Sequence, residues 1–187
     1  MTAAISRFPV PALESLPEDL QQRIARVQEK AGFVPNVFVA LAHRPEECRA
    51  FFDYHDALMR RKGGLKGGKG NDRGGDVKRQ SLPLLHHHPR RDPARGVEAA
   101  LIADQVAANY LKADLTPREK AILDFAMKAT LQSHQVDEQA FIPLRAHALD
   151  EEDIWDVGAI VASFALSNRM ANLTAMRRND DFFTMGR

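Results

Sequence analysis

The chain has 187 residues, 44% of them hydrophobic, enough to build and fill one domain-sized core. Its formal net charge of +1 gives no global attraction to nucleic acid, membrane surfaces or acidic substrates. Cys48 is the only cysteine, which excludes an intrachain disulfide and any Cys-based metal cluster. The opening "MTAAISRFPVPALESL" has no apolar run of signal-peptide length, and no window approaches the ~18 apolar residues of a membrane span. The expected compartment is the cytoplasm, with no membrane partner.

In chain order, "SLPEDLQQRIARVQEKAG" predicts an amphipathic helix with Ser15 as N-cap, Pro17 in the first turn and Glu18 three after the cap. Leu20, Ile24 and Val27 share one face, and Gly32 ends it. "FVPNVFVALAHRP" predicts a turn and a short helix. Residues 45 to 61 predict a third helix, with Phe51, Phe52, His55 and Leu58 on its apolar side and Cys48 in a packing role. Beyond Gly96, "EAALIADQVAANYLKA" has helical composition. In "LTPREKAILDFAMKATLQ" Thr116 caps, Pro117 takes the first turn, Glu119 closes a capping box, and Ile122, Phe125, Ala126 and Ala129 form the stripe. "VDEQAFIPLRAHALD" predicts a shorter helix. A long last helix starts at Asp150 with an acidic first turn, and its centre "VGAIVASFALSN" is apolar almost all round, as in a core helix. No strand signal competes. The expected fold class is all-α, a compact multi-helix bundle, with residues 1–187 forming one helical domain.

One stretch breaks this grammar. Seven of the eleven glycines lie between Gly63 and Gly75, and Val77 is the only aliphatic residue between Lys66 and Ser81. Residues 60 to 95 hold eleven Lys/Arg against three Asp, a local +8 that leaves −7 for the remainder. At face value this is a basic loop, and such loops beyond ~12–15 residues are uncommon in compact domains. It has no aromatic residue for base stacking, so specific nucleic-acid binding is not expected. His86, His87 and His88 are consecutive and cannot face one way, and no second ligand cluster has zinc spacing, so no metal and no cofactor are expected. The glycines match neither dinucleotide nor phosphate-loop spacing.

Outside that stretch the phrases "GFVPNVF", "FFDYHDALM", "LIADQVAANY", "ADLTPREKAILDFAMK", "LDEEDIWDVGAI" and "ALSNRMANLTAMRRNDDFF" resemble the peroxidase-related branch of the carboxymuconolactone decarboxylase and alkylhydroperoxidase-D-like superfamily. They cover roughly residues 30 to 62 and 101 to 185 in the family's order. The resemblance implies an alkylhydroperoxidase-D-like bundle and a central helix reading Glu, eleven residues, then Cys-x-x-Cys-x-x-x-His. No such motif is present. The family's positions fall at Gly70 for the Glu, Leu82 and Leu85 for the cysteines and Pro89 for the His, so no catalytic residue is intact.

The genetic code offers an account. Alternative codons built from the last two letters of one codon and the first of the next permit Ser-Lys-Ala-Glu-Arg-Glu-Met from Leu65 through Asn71. They permit Cys-Leu-Tyr-Cys from Leu82 through Leu85, Thr or Ile at the three histidines, and His at Pro89. The family motif is thereby restored in register. Residues 65 to about 99 are therefore read as a frame-shifted translation, without packed structure, the frame returning near Glu98 to Ala100.

The resemblance then implies an alkylhydroperoxidase-like thiol peroxidase, an antioxidant oxidoreductase and homo-oligomer. With the motif intact it would take a hydroperoxide substrate and a thiol reductant; as written the chain is inactive. Of the other polar residues, His55 and His134 are read as helix-surface or helix-end positions, whereas Asn168, Arg169 and Asn172 either line a site or leave the core. The alternative to the peroxidase is a non-catalytic helical scaffold whose basic loop binds nucleic acid or an acidic partner. Sequencing the coding DNA between the codons for Gly64 and Leu101 is expected to show the Cys-x-x-Cys-x-x-x-His codons in the neighbouring frame. An alternative frame that encodes no such motif would exclude the frame-shift account.

Overall fold

The computed structural model describes residues 4–60, 101–102 and 104–181. The anomalous stretch, with Gly70, Leu82, Leu85, Pro89 and the three histidines, lies outside the described residues, as does the point where the frame is read to return. All regular structure among the described residues is helical, which makes the fold all-α. The helices are α1 (Glu18–Ala31), α2 (Asn36–Leu41), α3 (Pro45–Arg60), α4 (helical at 101–102 and 104–109), α5 (Pro117–Leu131), α6 (Glu138–Ala146) and α7 (Glu151–Thr174). Short 3-10 turns cover Leu13–Ser15, Tyr110–Lys112 and Ser133–Gln135. No helix among the described residues is long and apolar enough to cross a membrane. The chain divides into two compact units, one holding residues up to 60 and from 166, the other residues up to 165.

In the first unit Leu20 and Ile24 of α1 are buried with Leu16, Ala42, Cys48 and Phe52. Phe38 of α2 stacks on Phe52 with centroids 3.9 Å apart, and Phe51 meets the same ring edge-on. Charge fixes the register of α1 against α3. Arg23 reaches Asp53 at 2.8 Å and Asp56 at 2.6 Å, while Arg49 grips both Asp19 oxygens at 2.6 and 2.8 Å. That fork holds the Asp19 carboxyl down at about 2, chiefly through its hydrogen bonds from Arg49.

The segment after α7 is tied to the same unit. Arg7 N–H donates to Thr174 O at 2.8 Å and Arg177 N–H to Ile5 O at 2.9 Å. Asn179 accepts from the Asn36 N–H at 2.6 Å and donates to Val34 O at 2.8 Å, so one side chain fixes the entry to α2.

In the second unit Leu144, with no exposed surface, packs with Ile122 and Phe125 of α5 and with Ile154, Val157 and Val161 of α7. The predicted capping box of α5 is complete: Thr116 Oγ1 accepts from Glu119 N–H, and Glu119 accepts from Thr116 N–H at 2.8 Å. Asp137 caps α6 by accepting from Ala140 N–H.

The predicted N-cap of α1 needs correction. Ser15 is spent on a preceding 3-10 turn, donating to Ala12 O at 2.7 Å, and the helix starts one residue after Pro17, whose extended backbone makes it the cap without any side-chain bond. Gly32 does end α1, at φ 85°, with its N–H on Gln28 O.

Two other helix ends use the same left-handed geometry without glycine: Ala148 at φ 58° and Ala175 at φ 50°. After α6, Leu149 N–H returns to Leu144 O and Ala148 N–H to Arg145 O, the paired bonds of a Schellman end. A β-carbon in this conformation costs about 1–2 kcal/mol, partly offset because glycine gives the unfolded chain more freedom. Ala148→Gly is therefore expected to raise stability by about 0.5–1 kcal/mol. Ala146→Gly, two residues earlier in helical geometry, is expected to lower it by about as much. Urea unfolding midpoints of the two variants, moving in opposite directions, check this.

Candidate functional site

The chemistry expected of the family needs a nucleophilic thiol, and Cys48 is the only one in the chain. It lies on the inner face of α3, among Leu20, Ile24 and Phe52, with 1% of its surface exposed. Burial pushes its thiol up to about 11, outweighing the pull of the Arg23 and Arg49 guanidiniums. Relative to a thiol at the ordinary value of 9.0, this means about a hundredfold less thiolate at neutral pH. Cys48 is a core residue, as its sequence context predicted, and its environment is the reverse of the electropositive, partly exposed setting that activates a thiol.

The histidines fall where the helix pattern puts them. His55 sits half-buried on α3, its Nδ1 3.5 Å from Asp56 Oδ1. His134 is exposed in the turn before α6, beside the Gln135 amide at 3.3 Å. They belong to different units, and neither is placed beside a thiol by any described contact. Asn168, Arg169 and Asn172 are exposed on the last turns of α7, which favours the reading that they leave the core. Among the described residues no group of three or more His, Cys, Asp or Glu is arranged to hold a metal ion.

Three features had no sequence signal. Asp153 and Asp156 are almost fully buried near the start of α7, at 3% and 4% exposure. Tyr110 donates to Asp124 at 2.9 Å across the α4–α5 connection, a bond that raises the phenol's pKa. A groove also opens between α5 and α6. Acidic residues in a first helical turn usually signal solvent and dipole rather than burial, and nothing in residue spacing distinguishes the two.

No family model and no curated protein matches the chain. Solved structures do. An uncharacterized peroxidase-related protein with an alkylhydroperoxidase AhpD core, from Ralstonia eutropha JMP134, is 50% identical, with 100% of this chain and 98% of that one covered at a TM-score of 0.78. A second uncharacterized peroxidase-related protein, from Silicibacter sp. TM1040, is 27% identical over 99% and 97% of the two chains, with a TM-score of 0.74. A debrominase solved with 2,3,4-tribromopyrrole, 16% identical at a TM-score of 0.64, shares the fold. The chain belongs to the alkylhydroperoxidase-D-like family, in its peroxidase-related branch.

Native protein is expected to react with an aromatic disulfide reagent at least about a hundredfold more slowly than the same protein in denaturant, because both thiolate fraction and access are restored on unfolding. Stopped-flow absorbance of the released thiolate measures both rates. Similar rates would show Cys48 to be open and available for chemistry.

Proposed function

We propose that this chain is the helical frame of an alkylhydroperoxidase-like thiol peroxidase whose motif segment, residues 65 to about 99, is translated out of frame. In this reading the chain as it stands has no peroxidase activity. One contrast carries the proposal: a full-length relation to a peroxidase-related protein at 50% identity, in a chain whose single thiol is closed inside the core.

With the frame restored, the positions of Leu82 and Leu85 would carry cysteines three residues apart, and that of Pro89 a histidine four further on, all on one helical face. A thiolate there attacks the peroxide O–O bond. Its electron pair forms S–O, the leaving alkoxide takes a proton to become the alcohol, and the sulfur becomes a sulfenic acid. The second thiol displaces that hydroxyl as water and closes a disulfide. An external dithiol reductant then returns both sulfurs to thiols and is itself oxidised. The His and the Glu at the Gly70 position move the protons. Cytoplasmic location and a homo-oligomeric state belong to the same proposal.

The test compares the chain with its frame-restored counterpart. As it stands, the chain is expected to titrate one thiol and to reduce no alkyl hydroperoxide above background. The restored chain is expected to titrate three thiols, to lose two of them on addition of peroxide, and to gain helix by circular dichroism. Peroxide turnover by the present chain that disappears in Cys48→Ser would overturn the proposal, and so would a restored chain whose thiols ignore peroxide.

A further inference from the structure

The groove between α5 and α6 uses none of the motif positions and lies wholly within the second unit. A short connection joins the two helices, and Lys128 near the end of α5 reaches Asp137 at the cap of α6 at 3.5 Å. Between them is a volume of about 520 Å³, within the ~300–1,000 Å³ of small-molecule sites. Its floor is apolar: Ala121 and Phe125 are buried and Ala140 is half-buried.

The charges at its rim are unequal in their commitments. The Asp124 carboxylate accepts the Tyr110 hydroxyl, a neutral partner that leaves its charge in place, and Lys128 is engaged by Asp137. Lys120 is half-buried, and its ammonium has no hydrogen bond or ion pair among the described residues. The His147 ring, also half-buried on the α6 side, has none either. A partly desolvated cation gains most from an anionic partner.

The size of that anion is bounded. The lining holds Lys120 and Lys128 against Asp124, an excess of one positive charge, which matches one negative charge. The start of α5 offers no phosphate cradle, because its free N–H groups face the Thr116 and Glu119 capping box and the Glu119 carboxylate. We infer that this groove binds a small amphipathic monocarboxylate, its carboxylate on Lys120 with His147 beside it and its apolar body on Phe125, Ala121 and Ala140.

Decanoate, decan-1-ol and decylammonium titrated into the full chain by isothermal calorimetry test this. Decanoate is expected to bind saturably and the other two far more weakly. Lys120→Met keeps the apolar stem and is expected to weaken decanoate about tenfold or more, the loss of one charge-assisted hydrogen bond. Lys112→Met, outside the groove, should change nothing, and Ala140→Trp should abolish binding by filling the floor. Circular dichroism confirms that each variant is folded, and if Ala140→Trp is not, Lys120→Met decides alone. No saturable heat with decanoate, equal binding of decanol, undiminished binding by Lys120→Met, or undiminished binding by a folded Ala140→Trp would each overturn the inference.

Discussion

The second unit depends on how charge is settled at the start of α7. Asp153 is buried to 3% exposure, and its carboxylate is held there by the backbone: it accepts from Asp150 N–H at 3.3 Å, while Asp150 Oδ1 accepts from Asp153 N–H at 2.8 Å. An acidic pair in this reciprocal arrangement satisfies donors that the first turn of any helix leaves open, at the end where the helix dipole favours negative charge. Only with the turn closed in this way can the residues that follow go inward. Ile154, Val157 and Val161 then meet Leu144, Leu149 and Phe125 in one cluster. Among the described residues no buried side-chain polar atom is left without a partner, the carboxylates near this start included.

The same settlement shapes the α5–α6 hairpin. With Leu144 fully buried, α6 must present Ala140 and His147 to the side facing α5, since residues three to four apart share a helical face. Small residues at the closest approach leave space between the helices, and the longer polar chains stand at its rim. Arg145, on the far side, is occupied by Glu138 at 3.0 Å and Glu151 at 2.9 Å and is stacked near Phe141. Lys120 and Lys128 line the groove against one carboxylate, Asp124, and among the described residues Lys120 has no ion pair, so the excess charge of the lining is one positive.

What the sequence disclosed follows from which residues carry their own conformational signal. Thr116, Pro117 and Glu119 specify a helix start by side-chain chemistry alone, and the capping box is complete. Ser15 and Glu18 carry a similar signal, yet the hydroxyl prefers Ala12 O and the start moves to Pro17. The competing 3-10 turn depends on Leu16 being buried, a tertiary fact. Gly32 announced its left-handed cap; Ala148 and Ala175 adopt the same conformation with a residue that ordinarily continues a helix, so those ends were silent. In α7 an apolar surface almost all round gave no period, and Trp155, Leu166 and Leu173 proved exposed although nothing marked them out. The motif positions could be located only through the family resemblance and the reading frame. The groove could not be located at all, because Lys120 and His147 line it from two different elements rather than through spacing along one helix.

The proposed thiol chemistry sets a geometric condition that one buried cysteine does not meet, independently of peroxide access. Reduction of the O–O bond leaves a sulfenic acid, and the cycle continues only if a second thiol lies close enough to expel the hydroxyl. A helix supplies that closeness when the two cysteines are three residues apart. At Cys48 the neighbours on the same face are Phe51 and Phe52, and the surrounding cluster is leucine, isoleucine, alanine and phenylalanine. A sulfenic acid formed there would be a polar group in an apolar enclosure with no resolving partner in the chain, costly to hold and slow to clear. Burial thus disfavours the first step by suppressing the thiolate and the second by excluding any resolving thiol. The surroundings that make Cys48 a good core residue are those that keep it out of the chemistry.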